Sequence, residues 1–200
     1  KKHSTNVYEA VQVNDFILNS RTNISKMGFN HDFKTIVKNV NSDGKNSTKF
    51  KDKSQSEILS MISYNIDLPL IKDNINFNNL LTPKMSLRFS PNDTKSLKDE
   101  SRYLNMDNIF SFNRIGFNDT IESGTSLTLG LDFEKKHKKN NDTFLSSKIG
   151  TVFRDEINEN LPTTSTLSFS NLKALFFNNK ARHEKKYSAT AQELAPEEKL

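Results

Sequence analysis

The stretch LLTPKMSLRFS, residues 80–90, narrows most sharply what this chain can fold into. Leu81, Met85, Leu87 and Phe89 fall on one parity, and Thr82, Lys84, Ser86, Arg88 and Ser90 on the other. Successive side chains of a strand point to opposite faces, so a strand sorts these residues completely, whereas a helix scatters them round its circumference. The same period returns at 126–133, where Leu127, Leu129, Leu131 and Phe133 alternate with Ser126, Thr128, Gly130 and Asp132. Ile58, Ile62, Tyr64, Ile66 and Leu68 share a parity, as do Leu145, Ile149 and Phe153. VYEAVQVNDFILNS from Val7 and DFKTIVKNVNS from Asp32 read as further strands. Residues 41–54 form a polar loop or hairpin tip with Asp43-Gly44 as its turn signal.

Between the two clean strands the pattern changes. A long polar turn is expected over Ser90–Ser101, then a less regular extended run, RYLNMDNIFSFNRIGF, from Arg102 to Phe117. EKKHKKNND, 134–142, reads as an exposed hairpin loop, and NENLPTTSTL, 158–167, as a loop leading towards a further strand. Residues 171–200 lose the alternation and gain Ala, Glu and Lys, which predicts a non-barrel tail, a short helix from about Leu172 followed by a disordered end.

Seven or so strands with hairpin spacing and no helical pattern between them make an all-β antiparallel architecture. Sparse Ala and abundant Asn, Ser, Thr, Ile and Phe agree with strands joined by polar turns. The strands run to about ten residues or more, the length of membrane-barrel strands. Two architectures share the alternation. In a soluble β-sandwich the apolar face packs inward; in a transmembrane barrel it meets lipid and the polar face lines a wet lumen. Lys84, Arg88, Asp107, Arg114 and Asp132 are ordinary on the outer face of a sandwich. In a barrel they line the interior, where opposite charges pair across strands. Strand length favours the barrel, and the absence of Trp from any aromatic girdle counts mildly against it.

Several classes fall away. No apolar run reaches the length of a transmembrane helix, which says nothing about a barrel. With no Cys there is neither disulfide framework nor thiol chemistry. The net charge is +5, but Lys and Arg are spread along the chain and diluted by Asp and Glu, without the basic, aromatic-studded stripe of a nucleic-acid binder. His3, His31, His137 and His183 are isolated and lack metal-ligand spacing; no Gly-rich phosphate loop or nucleophile elbow occurs. A transport or binding protein without a cofactor is expected, not an enzyme. The chain opens on Lys1 with no signal-peptide pattern, and strand-like patterning starts near Val7, as in a piece cut from a longer chain.

One resemblance goes further. LTPKMSLRFSPN followed by DESRYLNMDNIFSFNRIGFNDTIESGTSLTLGLDF resembles the C-terminal barrel domain of the LPS-assembly protein D family, the organic-solvent-tolerance proteins. That family has a Pro-containing strand ending in an SPN-like turn, an acidic-Ser step, a D-x-N-L-F core, N-R-F/I-G-x-D-R-x-E-x-G and an L-x-Y-G-L strand. Pro83, Ser90, Pro91, Asn92, Glu100 and Ser101 carry the first part. Asp107, Asn108, Ile109, Phe110, Asn113, Arg114, Ile115, Gly116, Asp119, Glu122 and Gly124 carry the middle, and Leu127, Gly130 and Leu131 close the match. It spans about Leu80 to Arg154, and departs at Thr120, where the family has Arg after the Asp.

The resemblance implies that residues 1–170 are mid-barrel strands of a transmembrane β-barrel in the cell outer membrane, which inserts lipopolysaccharide into the outer leaflet. It also implies a plug lipoprotein in the lumen, a periplasmic bridge protein that delivers lipid, and contact with outer-membrane lipid. Asp107, Asn108, Asn113, Arg114, Asp119 and Glu122, with Lys84 and Arg88, are the family-motif and lumen-facing candidates. Another outer-membrane channel and a soluble sandwich that binds sugars or proteins are the alternatives.

Overall fold

The computed structural model describes residues 6–47, 50–98, 100, 104–161, 173–182 and 188–190, the last two segments through their backbone. The strands are β1 (Tyr8–Asn19), β2 (Asn23–Ile24), β3 (Asn30–Lys45), β4 (Gln55–Asp67), β5 (Leu70–Asp73), β6 (Phe77–Ser90), β7 (Gly124–His137), β8 (Thr143–Arg154), β9 (Lys173–Arg182) and β10 (Ser188–Thr190). All join one antiparallel sheet. Its main path is β1-β3-β4-β6-β7-β8-β9-β10, with the short β2 and β5 paired to β3 and β6. The fold is all-β, with no helix among the described residues. The outer strands β1 and β10 do not pair with each other, so the sheet is open.

Sequence and register agree over the clean strands. β6 and β7 pair without a break from Phe77↔His137 to Ser90↔Gly124, which keeps Leu81, Met85 and Leu87 beside Phe133, Leu129 and Leu127. Three expectations need correction. The Asp43-Gly44 step is no turn: β3 runs through it, paired to Ala10 and Glu9, and the chain reverses only after Lys45. The described part of the run expected to extend to Phe117, Leu104 onward, forms successive turns and no strand. Its clustered Asn residues offer the backbone side-chain partners that compete with a ladder. The helix expected from Leu172 is replaced over 173–182 by β9, which pairs with β8 from Leu145↔Ala181 to Phe153↔Lys173. An unpaired strand edge satisfies nine successive residues there, which outweighs the weak helical bias of a few Ala and Lys. Residues 191–200 lie outside the described ones.

The two faces of the sheet have opposite fates. Leu87 and Leu129 are 44% and 38% exposed, while their neighbours Ser86 and Thr128 are fully buried. Phe16, Phe33, Val37, Ile58, Ile62, Phe89, Leu131 and Ile149 lie uncovered with the leucines, and Lys38, Ser63, Arg88 and Ser126 are covered. The cover is the connection between β6 and β7, residues 91–123, whose described residues fold back over the polar face. It carries its own apolar residues there: Leu104, Met106, Ile109 and Ile115 pack with Val152, and Ile121 packs with Ile36, Val40, Leu59 and Met61.

Candidate functional site

The insert is anchored at its neck and seated on a flat spot. Pro91 has no N–H to extend the ladder, and Asn92 takes over for it. Its Oδ1 accepts from the Ser60 backbone N–H at 2.7 Å, and its Nδ2 donates to the Ile58 carbonyl at 3.1 Å. Thr94 Oγ1 accepts the Ser123 N–H at 2.8 Å, and Asn158 Nδ2 donates to the Thr94 and Ser123 hydroxyls, which closes the neck. Gly130 and Gly150 face each other across β7 and β8. A Cβ on Gly130 would lie 2.6 Å from Phe110 Cζ, and one on Gly150 2.5 Å from Ile109 Cδ1. Glycine weakens a strand, and here it admits close approach of another segment.

Between the neck and this seat lies a buried cluster of charge. The register sets Ser63, Arg88, Ser126 and Arg154 in one row across β4, β6, β7 and β8. Arg114 descends from the insert into that row. Its Nε and Nη2 donate to the two carboxylate oxygens of Glu122, each at 2.5 Å, in the planar fork that guanidinium and carboxylate geometry favours. Its remaining donors reach Thr128 Oγ1 at 3.1 Å and Ser126 Oγ at 2.9 Å. Arg154 Nε donates to Glu122 Oε1 at 3.1 Å. Arg88 Nη2 donates to the Ser111 carbonyl. Burial by itself would raise the Glu122 carboxyl, but the charge and hydrogen bonds of Arg114, then Arg154 and Arg88, hold it at about 2.

The other candidates scatter around this centre. Lys84 bonds Asp132 diagonally across β6 and β7 at 2.5 Å, the cross-strand pairing expected of the polar face. Asp119 pairs with Lys95 at 2.7 Å, and Thr120, which stands where the family has Arg, accepts the Lys95 N–H at 3.2 Å. Asn108 Oδ1 accepts from the Asn105 N–H, while Asn105 Oδ1 takes the N–H groups of Asp107 and Asn108, which together build a tight turn. Asn113 bridges to Phe117 and Gly116. Asp107 is exposed and joins no ion pair among the described residues. Three of the eight candidates, Arg88, Arg114 and Glu122, therefore meet in the cluster; the other five shape the insert or the adjoining wall. Arg154 was missed by motif reading, though its parity with Lys148, Gly150 and Val152 puts it on the polar face.

Among the described residues no group of three or more His, Cys, Asp or Glu is arranged to hold a metal. In comparisons with known proteins, no family model matches the chain and no curated protein shows significant similarity to it.

Proposed function

We propose that this sheet is a section of the wall of a transmembrane β-barrel in an outer membrane, with residues 91–123 packed inside its lumen, and that the barrel serves lipopolysaccharide assembly. The observation that carries the barrel is sidedness. A soluble sandwich covers its apolar face; here the apolar face is bare and the charged face is covered, as lipid outside and a polar lumen inside require. The band from Phe77 to Phe89 spans about 40 Å along the strand, or ~30 Å at a barrel tilt near 40°, which matches a bilayer core. At one end Phe77, His137 and Phe144 cluster, with Lys135 Nζ 4.3 Å from the Phe77 ring centre, in the manner of an interfacial girdle. The open edges of β1 and β10 are where further strands close such a barrel.

The assignment to lipopolysaccharide rests on the order and spacing of the motif from Pro83 to Leu131. The partners proposed with it are lipopolysaccharide itself, a plug lipoprotein and a periplasmic bridge protein.

Two measurements separate the wall from the task. The chain lacks cysteine, so single spin labels can be placed at Leu129 and Ile149 on one face and at Lys84 and Lys148 on the other, in the full chain reconstituted in vesicles. Labels at Leu129 and Ile149 collide with oxygen in lipid, and those at Lys84 and Lys148 with a water-soluble relaxant; the reverse pattern sinks the barrel. Depletion of the protein in its own cells lowers lipopolysaccharide at the cell surface. An unchanged surface level, with the labels still lipid-facing, keeps the barrel and removes the task.

A further inference from the structure

A cavity of about 120 Å³ lies between the insert and the polar face of β1, β3, β4 and β6. Its wall includes Asp15, Lys38, Arg88, Arg114, Asn118 and Thr120. At a share of roughly 30 Å³ per water it holds about four waters, the scale of one small polyatomic ion. Asn113 and Asn118 line it and are exposed at the surface of the insert, so it can be reached from solvent.

The charges in this wall are unequally matched. Lys38, 3% exposed, is paired with Asp15 at 2.5 Å. Arg114 is paired with Glu122, whose second oxygen also receives Arg154. Arg88 is 4% exposed and has no carboxylate partner among the described residues: one Nη donates to a backbone carbonyl, and its Nε has no partner among them. The charges that bear on it most are Arg114 and Arg154, which repel it, and Glu122, which both of those already hold. A buried guanidinium with an idle donor and two like charges nearby is strongly disfavoured unless an anion compensates it. Water can fill the donor but cannot balance the charge.

We propose that this cavity is a binding site for a single small oxyanion of the phosphate class, held by the Arg88 guanidinium with help from Asn118 at the rim. A guanidinium in the wall suits the oxygens of such an ion, and the two carboxylates in the wall are already committed to Lys38 and to Arg114. The site is independent of what meets the apolar face, so it goes beyond the barrel reading and does not fall with it.

The test is calorimetric titration of the full chain, folded in detergent micelles and phosphate-free buffer, with inorganic phosphate in one arm and glucose 1-phosphate in the other. Chloride at equal ionic strength is the control. Saturable binding of one ion per chain is expected, weakened at least about tenfold in Arg88→Gln. Asn118→Glu alters only an exposed rim residue and weakens binding by adding a negative charge; it decides the matter if Arg88→Gln does not fold. Binding of inorganic phosphate alone identifies a free ion, and binding of both identifies a phosphate carried on a larger molecule. No saturable binding in either arm, binding equal to that of chloride, or binding unchanged in the folded variants overturns the site.

Discussion

Replacing Arg114 by Ala tests whether the insert is held by its buried polar cluster with Ser126, Thr128 and Arg154 or only by its apolar contacts. The substitution removes four hydrogen bonds and leaves Glu122, near the end of the insert, with Arg154 Nε at 3.1 Å as its remaining donor among the described residues. Breaking a buried pair from one side costs about 3–5 kcal/mol. An independent route agrees: a fully buried carboxyl held at about 2 instead of 4.5 draws on the order of 3 kcal/mol from its surroundings, and Arg114 is the largest stabilising contributor. Arg154 and Arg88 recover part of that, so the lower figure, ~3 kcal/mol, is the expectation for docking of the insert. Since 1.4 kcal/mol is tenfold, the undocked population rises about a hundredfold. The assay is limited proteolysis of the full chain in detergent, under conditions where the cleavage rate follows the open population. Cleavage within 104–121 should accelerate about a hundredfold while the strands stay resistant. The reasoning fails if cleavage rises less than about threefold, or if Arg114→Ala with Glu122→Ala is as open as the two single changes added together, because partners in contact do not add.

Acid should act on the same contact. Glu122 has a depressed carboxyl, so its contribution is complete above about 4.5 and is lost as pH falls towards about 2; protease sensitivity of 104–121 should rise within that window and stay flat from pH 5 to 8. Gly150→Val places a branched side chain where a single Cβ already meets Ile109 Cδ1 at 2.5 Å, which should weaken docking by about 1–3 kcal/mol in the same assay without changing the strand content seen by circular dichroism. Asn92→Ala leaves the Ser60 N–H and the Ile58 carbonyl without their partner and should cost about 1–3 kcal/mol, read as faster amide exchange at Ser60. Leu129→Arg puts a charge on the bare face and, in the proposed barrel, should cost ~2–4 kcal/mol of folding into vesicles if Leu129 sits at mid-membrane, while Lys84→Met on the other face should lose only the Asp132 pair.

The wall was legible because a strand has the shortest period a sequence can carry. Thr128 and Leu129 differ in nothing but parity and chemistry, and that suffices to separate a buried face from an exposed one. The insert was legible only as a list. Asp107, Asn113 and Arg114 sit within eight positions of one another, yet the first is exposed, the second braces a turn and the third is buried in the cluster. Which of these a residue becomes depends on where the turns of 104–120 place it over strands distant in sequence, as Phe112 lies against the cluster that holds Ile36, and no local period encodes that. Arg154 illustrates the limit: its parity was plain, but its bond to Glu122 spans a separation of 32 residues. The C-terminal strand β9 was misread for a related reason, since its pairing follows from the free edge of β8 more than from its own composition.

The polar face is not uniformly polar, and its exceptions explain why the insert settles in one place. Ile36, Val40, Leu59 and Met61 make an apolar patch on β3 and β4, and Gly130 with Gly150 makes a second, flat one on β7 and β8. Phe112 and Ile121 meet the first patch, and Met106, Ile109 and Phe110 meet the second. Arg114 lies between Phe112 and Ile121 in sequence and enters the row of Arg88, Ser126 and Arg154. An apolar patch alone would accept many registers, because burial is non-directional. Directed polar contacts accept one, since sliding the insert by a single residue takes Arg114 from Ser126 and Thr128 and Glu122 from Arg154. The buried charges therefore serve position more than stability, and in the proposed barrel they hold the lumen-side segment against β3–β8 as a fixed lining instead of a loose loop.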